Sequence, residues 1–235
     1  IRPRSFRQLL EALGEESSDL ERYPWYRSQD LPLPLKTYRP VLSSLAGKLR
    51  STFERGAFCF VNLSARVIRA GEFNDRLACL GNKAEVALEA VACMLKGLFD
   101  LSRQRPCFVV VDRQGGRVHY ARFLFKAISP KGIVILMEKP QQSVYKAEGR
   151  RGEKLIVKFC VEGESSCLPV ALASMAAKYL RELHMILLNR YFQKSLGSEL
   201  RPTSGYVRDA RRFLTEIAED PRTPTFPLEL LVRHR

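Results

Sequence analysis

The sequence predicts a mixed α/β fold, a partly parallel sheet flanked by helices, and three observations carry that reading. Cys107-Phe108-Val109-Val110-Val111 is an unbroken apolar run ending in Asp112, the pattern of a strand buried on both faces. Leu77, Leu80, Ala84, Leu88, Val91, Leu95 and Leu98 recur at helical spacing before it, and Leu168 to Phe192 gives a second long helical pattern after it. Between them, residues 117–163 alternate short β-like segments with Gly and Pro turn signals.

Taken in order, residues 1–22 read as a helix through Phe6, Leu9, Leu10 and Leu13, ended by Gly14 and the polar stretch Glu15 to Asp19. Residues 23–40 hold Pro24, Pro32, Pro34 and Pro40 and read as an extended connector. Ser43 to Phe53 reads as a short helix, and residues 57–69 as a strand. One long helix is expected from Glu72 to Leu101, stopped by Arg105-Pro106. After the Asp112 strand, β segments are expected at Val118 to Lys126, Gly132 to Met137, Ser143 to Lys146 and Lys154 to Val161. The helix from Leu168 begins with small residues, which allow close approach to a sheet or ligand. Ser204-Gly205 opens a turn, and Val207 to Ala218 reads as a last helix. A tail with Pro221, Pro224 and Pro227 ends in Arg233-His234-Arg235. The expected organisation is therefore one domain over residues 1–220, with a β-rich basic segment at 117–160 and a tail at 221–235.

Composition limits the function classes. With 235 residues, 46% of them hydrophobic, the chain can bury one sizeable core or a domain with an appendage. No uncharged apolar run approaches the about 20 residues of a membrane span, so no membrane partner is expected. Lys and Arg number 39 against 25 Asp and Glu, a net charge of +14. Such an excess favours a polyanionic partner, nucleic acid first, over a merely soluble surface or a basic tail. The six cysteines form no CxxC pair and only three His occur, so a zinc centre is not expected. Those in apolar runs, such as Cys59 and Cys107, read as small buried hydrophobes in a reducing, cytoplasmic compartment. The opening Ile1-Arg2-Pro3-Arg4 has neither initiator Met nor signal pattern, which suggests a start inside a longer protein.

The acidic candidates are Asp112, at the end of the apolar strand, and Glu164, just before the small-residue helix. Carboxylates at a strand end and a helix start can converge on a hard divalent ion for phosphoryl chemistry. The local pattern also admits a turn residue at Asp112 and an exposed loop carboxylate at Glu164. Lys178 and Glu182 share a helix face at i, i+4, which a surface ion pair would equally explain. The basic residues of 117–163, among them Arg117, Arg122, Lys126, Lys146 and Lys154, fit a phosphate-tracking surface or a solvated face.

Several of these stretches resemble the type 2 ribonuclease H family. Leu172-Ala173-Ser174-Met175-Ala176-Ala177-Lys178-Tyr179-Leu180-Arg181-Glu182 is similar to the family's AASIxAKxxRD helix. Glu164 stands ten positions before Ser174, where the family has the metal-binding acid of a KAD, KGD or KAE motif. Val109-Val110-Val111-Asp112 resembles its VVD strand end, and Ser204-Gly205-Tyr206 its SGY or KGY turn. The likeness covers roughly residues 60–220. The family's first motif, DEAGRG or similar, has no counterpart in this chain.

The resemblance implies an RNase H-like sheet with a β-rich insertion and a C-terminal helical segment. It implies hydrolysis of the RNA strand of RNA–DNA hybrids, or cutting of duplex DNA at embedded ribonucleotides, with Mg²⁺ or Mn²⁺. Asp112 and Glu164 would be metal ligands and catalytic with Lys178 and Glu182. Ser174, Arg181, Ser204, Gly205 and Tyr206 would bind substrate, Tyr206 packing on the junction sugar. Two further carboxylates would come from the absent first motif, expected upstream of Ile1. The alternative is a catalytically inactive nucleic-acid-binding relative on the same scaffold.

Overall fold

The computed structural model describes residues 2–15, 18–27, 29–56 and 58–234, with the backbone alone at Ser18. Ile1, Glu16, Ser17, Ser28, Ala57 and Arg235, which the expected first helix, connector, first strand and tail included, lie outside the described residues. In chain order the helices are α1 Phe6–Ala12, α2 Pro24–Arg27, α3 Arg39–Arg55, α4 Ala70–Leu80, α5 Lys83–Leu101, α6 Ala121–Ile128, α7 Leu168–Leu196 and α8 Val207–Glu219. The strands are β1 Cys107–Asp112, β2 Gly132–Glu138, β3 Gln142–Glu148 and β4 Lys154–Cys160. The chain is α/β, and it divides into two compact units, Ile1–Val67 with Ala177–Leu228, and Ile68–Ala176 with Glu229–Arg235.

The first unit is helical. Ser5 caps α1, its side chain accepting from the Gln8 N–H. Gly14 at φ +80 turns the chain after α1, so the expected 1–22 helix is shorter and is followed by a separate 3₁₀ turn at Ser18–Arg22. The described residues of 23–40 are not a connector. Trp25 is only 3% exposed, and Tyr23, Tyr26, Leu31 and Leu33 are buried with it. Trp25 lies edge-on to Tyr191 at 6.2 Å, and Phe192 of α7 meets Phe213 of α8 at 5.3 Å. The prolines signal irregular backbone, but each large aromatic ring buries on the order of 150–250 Å², and that area places the segment in the core. The expected strand at 57–69 is likewise absent: residues 58–69 form no ladder, and Phe58, Phe60 and Val61 are exposed. Cys59 is exposed as well, and only Cys160 of the six cysteines is buried.

The second unit carries the sheet, in the order β1-β4-β3-β2, with β1 parallel to β4 and the other pairs antiparallel. The expected long helix is two. Gly81 adopts φ +68, and the Asn82 side chain accepts from the Ala84 N–H at 2.8 Å to start α5 afresh. Leu88, Leu95 and Phe99 of α5 then pack with Tyr120, Leu124, Ile128, Tyr145, Leu155, Val157 and Phe159 in one core. The expected strand Val118 to Lys126 is instead α6: Tyr120, Leu124 and Ile128, spaced by four, are all buried. A stack of Tyr120 on Phe159 at 3.7 Å fixes this helix on the sheet. Near the sheet's other edge the buried Tyr145 hydroxyl hydrogen-bonds to Glu138, and desolvation first, then this bond, pushes its pKa up to about 12. The β1 strand is not buried on both faces. It is an edge strand whose Phe108 is 61% exposed, while Cys107, Val109 and Val111 face the core. The expected tail is ordered at Leu228–Leu230, and Asn74 Nδ2 donates to the Glu229 and Val232 carbonyls, each at 2.8 Å. Among the described residues, no helix is long and apolar enough to cross a membrane.

Candidate functional site

Asp112 ends β1 opposite Cys160, the last residue of β4. Because the two strands are parallel, their carboxyl ends lie side by side, where α/β sheets place ligands. The chain leaves β4 through Glu162, at φ +50, into the 3₁₀ turn Gly163–Ser165. The Gly163 N–H donates to Asp112 Oδ1 at 3.1 Å. A side chain at 163 would bring Cβ to 3.1 Å from Cys160 Sγ, so glycine here lets the turn lie close against the sheet end. Glu164 follows directly and is exposed, as is Asp112. Burial pushes the Cys160 thiol pKa up. The loop after Asp112 is held as well: Arg113 Nε donates to the Arg117 carbonyl at 2.7 Å, and the Gln114 N–H donates to the Tyr120 hydroxyl at 3.2 Å. The Cys167 N–H donates to the Gly163 carbonyl at 3.0 Å, where α7 begins, and Ser174 lies further along that helix in the same unit.

The remaining candidates, Lys178, Arg181, Glu182, Ser204, Gly205 and Tyr206, belong to the first unit. Gly205 takes φ +75, and a Cβ there would sit 3.2 Å from Met185 Sδ. Tyr206 precedes α8 and is 67% exposed, with the Arg181 guanidinium 4.3 Å from its ring centroid. That spacing is a cation–π contact. Arg181 also donates to the Ser204 carbonyl and pairs with Glu182 at 2.9 Å. Glu182 therefore meets Arg181, its neighbour in sequence, in addition to sharing the helical spacing with Lys178.

The sequence reading missed the residues that hold this turn. Asp209 accepts from the Ser204 N–H and hydroxyl and from the Thr203 hydroxyl, and Arg212 binds it at 2.8 Å. Asn189 and Thr203 exchange two hydrogen bonds of 2.8 Å. Arg212 first, then Ser204, holds the Asp209 carboxyl far below the usual carboxylate range. The available signal was positional: Asp209 is the acidic residue of α8's first turn, where side chains reach back to the helix entry.

Asp112 and Glu164 offer hard oxygen donors, suited to Mg²⁺ or Mn²⁺ rather than to a softer ion. Among the described residues no group of three or more His, Cys, Asp or Glu could hold a metal. Two carboxylates still fit Mg²⁺, which is commonly bound through one or two carboxylates, waters and substrate phosphates. Part of the basic surface is compensated: Arg117 pairs with Glu85 at 3.0 Å and Lys146 with Glu148 at 2.7 Å. Comparison with protein-family models, with curated proteins and with solved structures finds no match to this chain.

Proposed function

We propose that this chain is a type 2 ribonuclease H-like domain that hydrolyses the RNA strand of RNA–DNA hybrids, or cuts at embedded ribonucleotides, in a cytoplasmic setting. The observation that carries the reading is the contact of Asp112 Oδ1 with the Gly163 N–H at the carboxyl ends of two parallel strands. It brings the turn bearing Glu164 to the strand end that bears Asp112. The backbone donor fixes the Asp112 carboxylate, so that it need not reorganise when a phosphate arrives. Asp112 and Glu164 would hold Mg²⁺ or Mn²⁺, which when bound activates water and neutralises charge at the phosphate. Tyr206 offers an exposed ring for a sugar face, with the Arg181 guanidinium stacked over that ring.

The test uses a labelled RNA–DNA hybrid and a DNA duplex with one ribonucleotide, each with Mg²⁺ or Mn²⁺. The parent protein is expected to cleave, and Asp112→Asn to cleave at least about a hundredfold more slowly while still binding the hybrid. Equal cleavage by both proteins removes Asp112 from the chemistry. Tight binding without cleavage by the parent replaces the enzyme with a nucleic-acid-binding module.

A further inference from the structure

At the sheet edge opposite β1, β2 pairs with β3 and, among the described residues, with no strand on its other side. Edge strands expose a row of N–H and C=O groups and are ordinarily blunted by charge, proline or short length. This one runs seven residues, Gly132–Glu138, with neither proline nor a basic residue, and its pairing with β3 is regular from Gly132 to Ile135 before the register shifts at Leu136. Val134, Ile135 and Leu136 are 54%, 54% and 53% exposed. Beside them Arg122, Phe125 and Lys126 of α6, with Ala121, Ile133 and Ile135, line an open groove of about 530 Å³.

We propose that this edge docks an extended acidic and apolar peptide segment of a partner protein. The segment adds as a strand along β2, seats an apolar side chain in the groove, and sets carboxylates against Arg122 and Lys126. In strand addition the main-chain hydrogen bonds supply affinity and side-chain pockets supply specificity, and this edge has both parts. The charge selects the occupant. Arg122 and Lys126 are exposed in the groove lining, whereas Glu138, at the far end of β2, is already engaged by the Tyr145 hydroxyl and by His119 Nδ1. Two copies of the chain meeting at this edge would oppose these cations to one another, in a protein of net charge +14, so a second copy fits poorly. The groove floor is Phe125, Ile133 and Ile135, side chains that meet apolar groups rather than phosphates. The site stands independently of the Asp112 and Tyr206 chemistry.

Fluorescence anisotropy with the full chain tests this, using a labelled peptide of about eight residues, a typical strand length, in which Glu and Val take turns at every second position with Thr between them, so that both side-chain types fall on the face toward the groove. A Lys/Val peptide and a labelled single-stranded oligonucleotide are run beside it. The Glu/Val peptide is expected to bind saturably and the Lys/Val peptide not at all. Arg122→Glu with Lys126→Glu should weaken binding at least about tenfold through lost charge complementarity. Val134→Lys with Leu136→Lys should do the same by blunting the edge, and as exposed substitutions they should leave the melting temperature near that of the parent. No binding of the Glu/Val peptide, or binding that survives both double variants, overturns the proposal. Oligonucleotide binding lost in both double variants assigns the edge to nucleic acid instead. A dimer seen by sedimentation and abolished by the Val134→Lys, Leu136→Lys variant assigns it to a second copy.

Discussion

Asp209 gathers the Ser204 N–H, the Ser204 and Thr203 hydroxyls and the Arg212 guanidinium around one carboxylate, and so fixes the turn from which Tyr206 projects. These donors favour the ionised form, and the folded pKa lies well below the ordinary one. The sign follows. A carboxyl with a depressed folded pKa stabilises the fold in full above its unfolded value, about 3.9, and loses that contribution as pH falls toward the folded value. The melting-temperature difference between parent and Asp209→Asn should therefore stay constant from neutral pH to about pH 4, then close in stronger acid. Thermal melts across a pH series check this, and a gap that widens in acid would contradict it. The Ser204-Gly205-Tyr206 turn was legible in the sequence, because glycine marks the positive φ that the structure shows. The Asp209 cluster was not, because one acid in a helix's first turn is common and its partners Thr203 and Arg212 show their role only in three dimensions.

Gly81 and Asn82 decide how the elements before β1 are cut. Read by hydrophobic spacing alone, residues 72–101 form one helix. A left-handed glycine followed by an Asn cap ends α4 and starts α5, and re-phases the stripe so that Val86, Leu88, Leu95 and Phe99 are buried while Leu80 and Leu98 are exposed. Asn82→Ala should cost about 1 kcal/mol through the lost cap. Gly81→Ala should cost about 1–2 kcal/mol, the strain of a Cβ in left-handed backbone. Urea unfolding measures both, and two variants as stable as the parent would mean the break is held by packing instead. The same competition between local pattern and packing explains the other elements. For β2, β3 and β4 the turn residues bracketed the strands to within a residue or two. The α6 helix was hidden because Phe123 and Phe125 alternate as a strand does, while the deciding residues Tyr120, Leu124 and Ile128 are spaced by four. In residues 23–40 the prolines were conspicuous, and the aromatic core that orders Tyr23, Trp25 and Tyr26 depends on α7 and α8, far away in sequence.

At the scale of the whole molecule the α/β class was legible and the division into two units was not, because that division falls inside α7, at Ala176 and Ala177. A continuous helix gives no compositional sign of a boundary. Charge, by contrast, is a property of the whole chain that needs no fold to read. A surplus of fourteen cations raises the local concentration of any polyanion, and each phosphate the protein neutralises releases condensed counterions. If about five phosphates are neutralised, the logarithm of hybrid affinity should fall against the logarithm of salt concentration with a slope of about −4. A slope near zero would mean that the charge serves something other than a nucleic-acid backbone. Running the titration with DNA duplex, RNA duplex and hybrid separates two contributions, since phosphate neutralisation is common to all three while groove shape and the 2′-hydroxyl differ. A preference for the hybrid that persists as salt rises must come from contacts that do not screen, such as a ring against a sugar, and Tyr206→Ala should then remove the preference while leaving the slope unchanged.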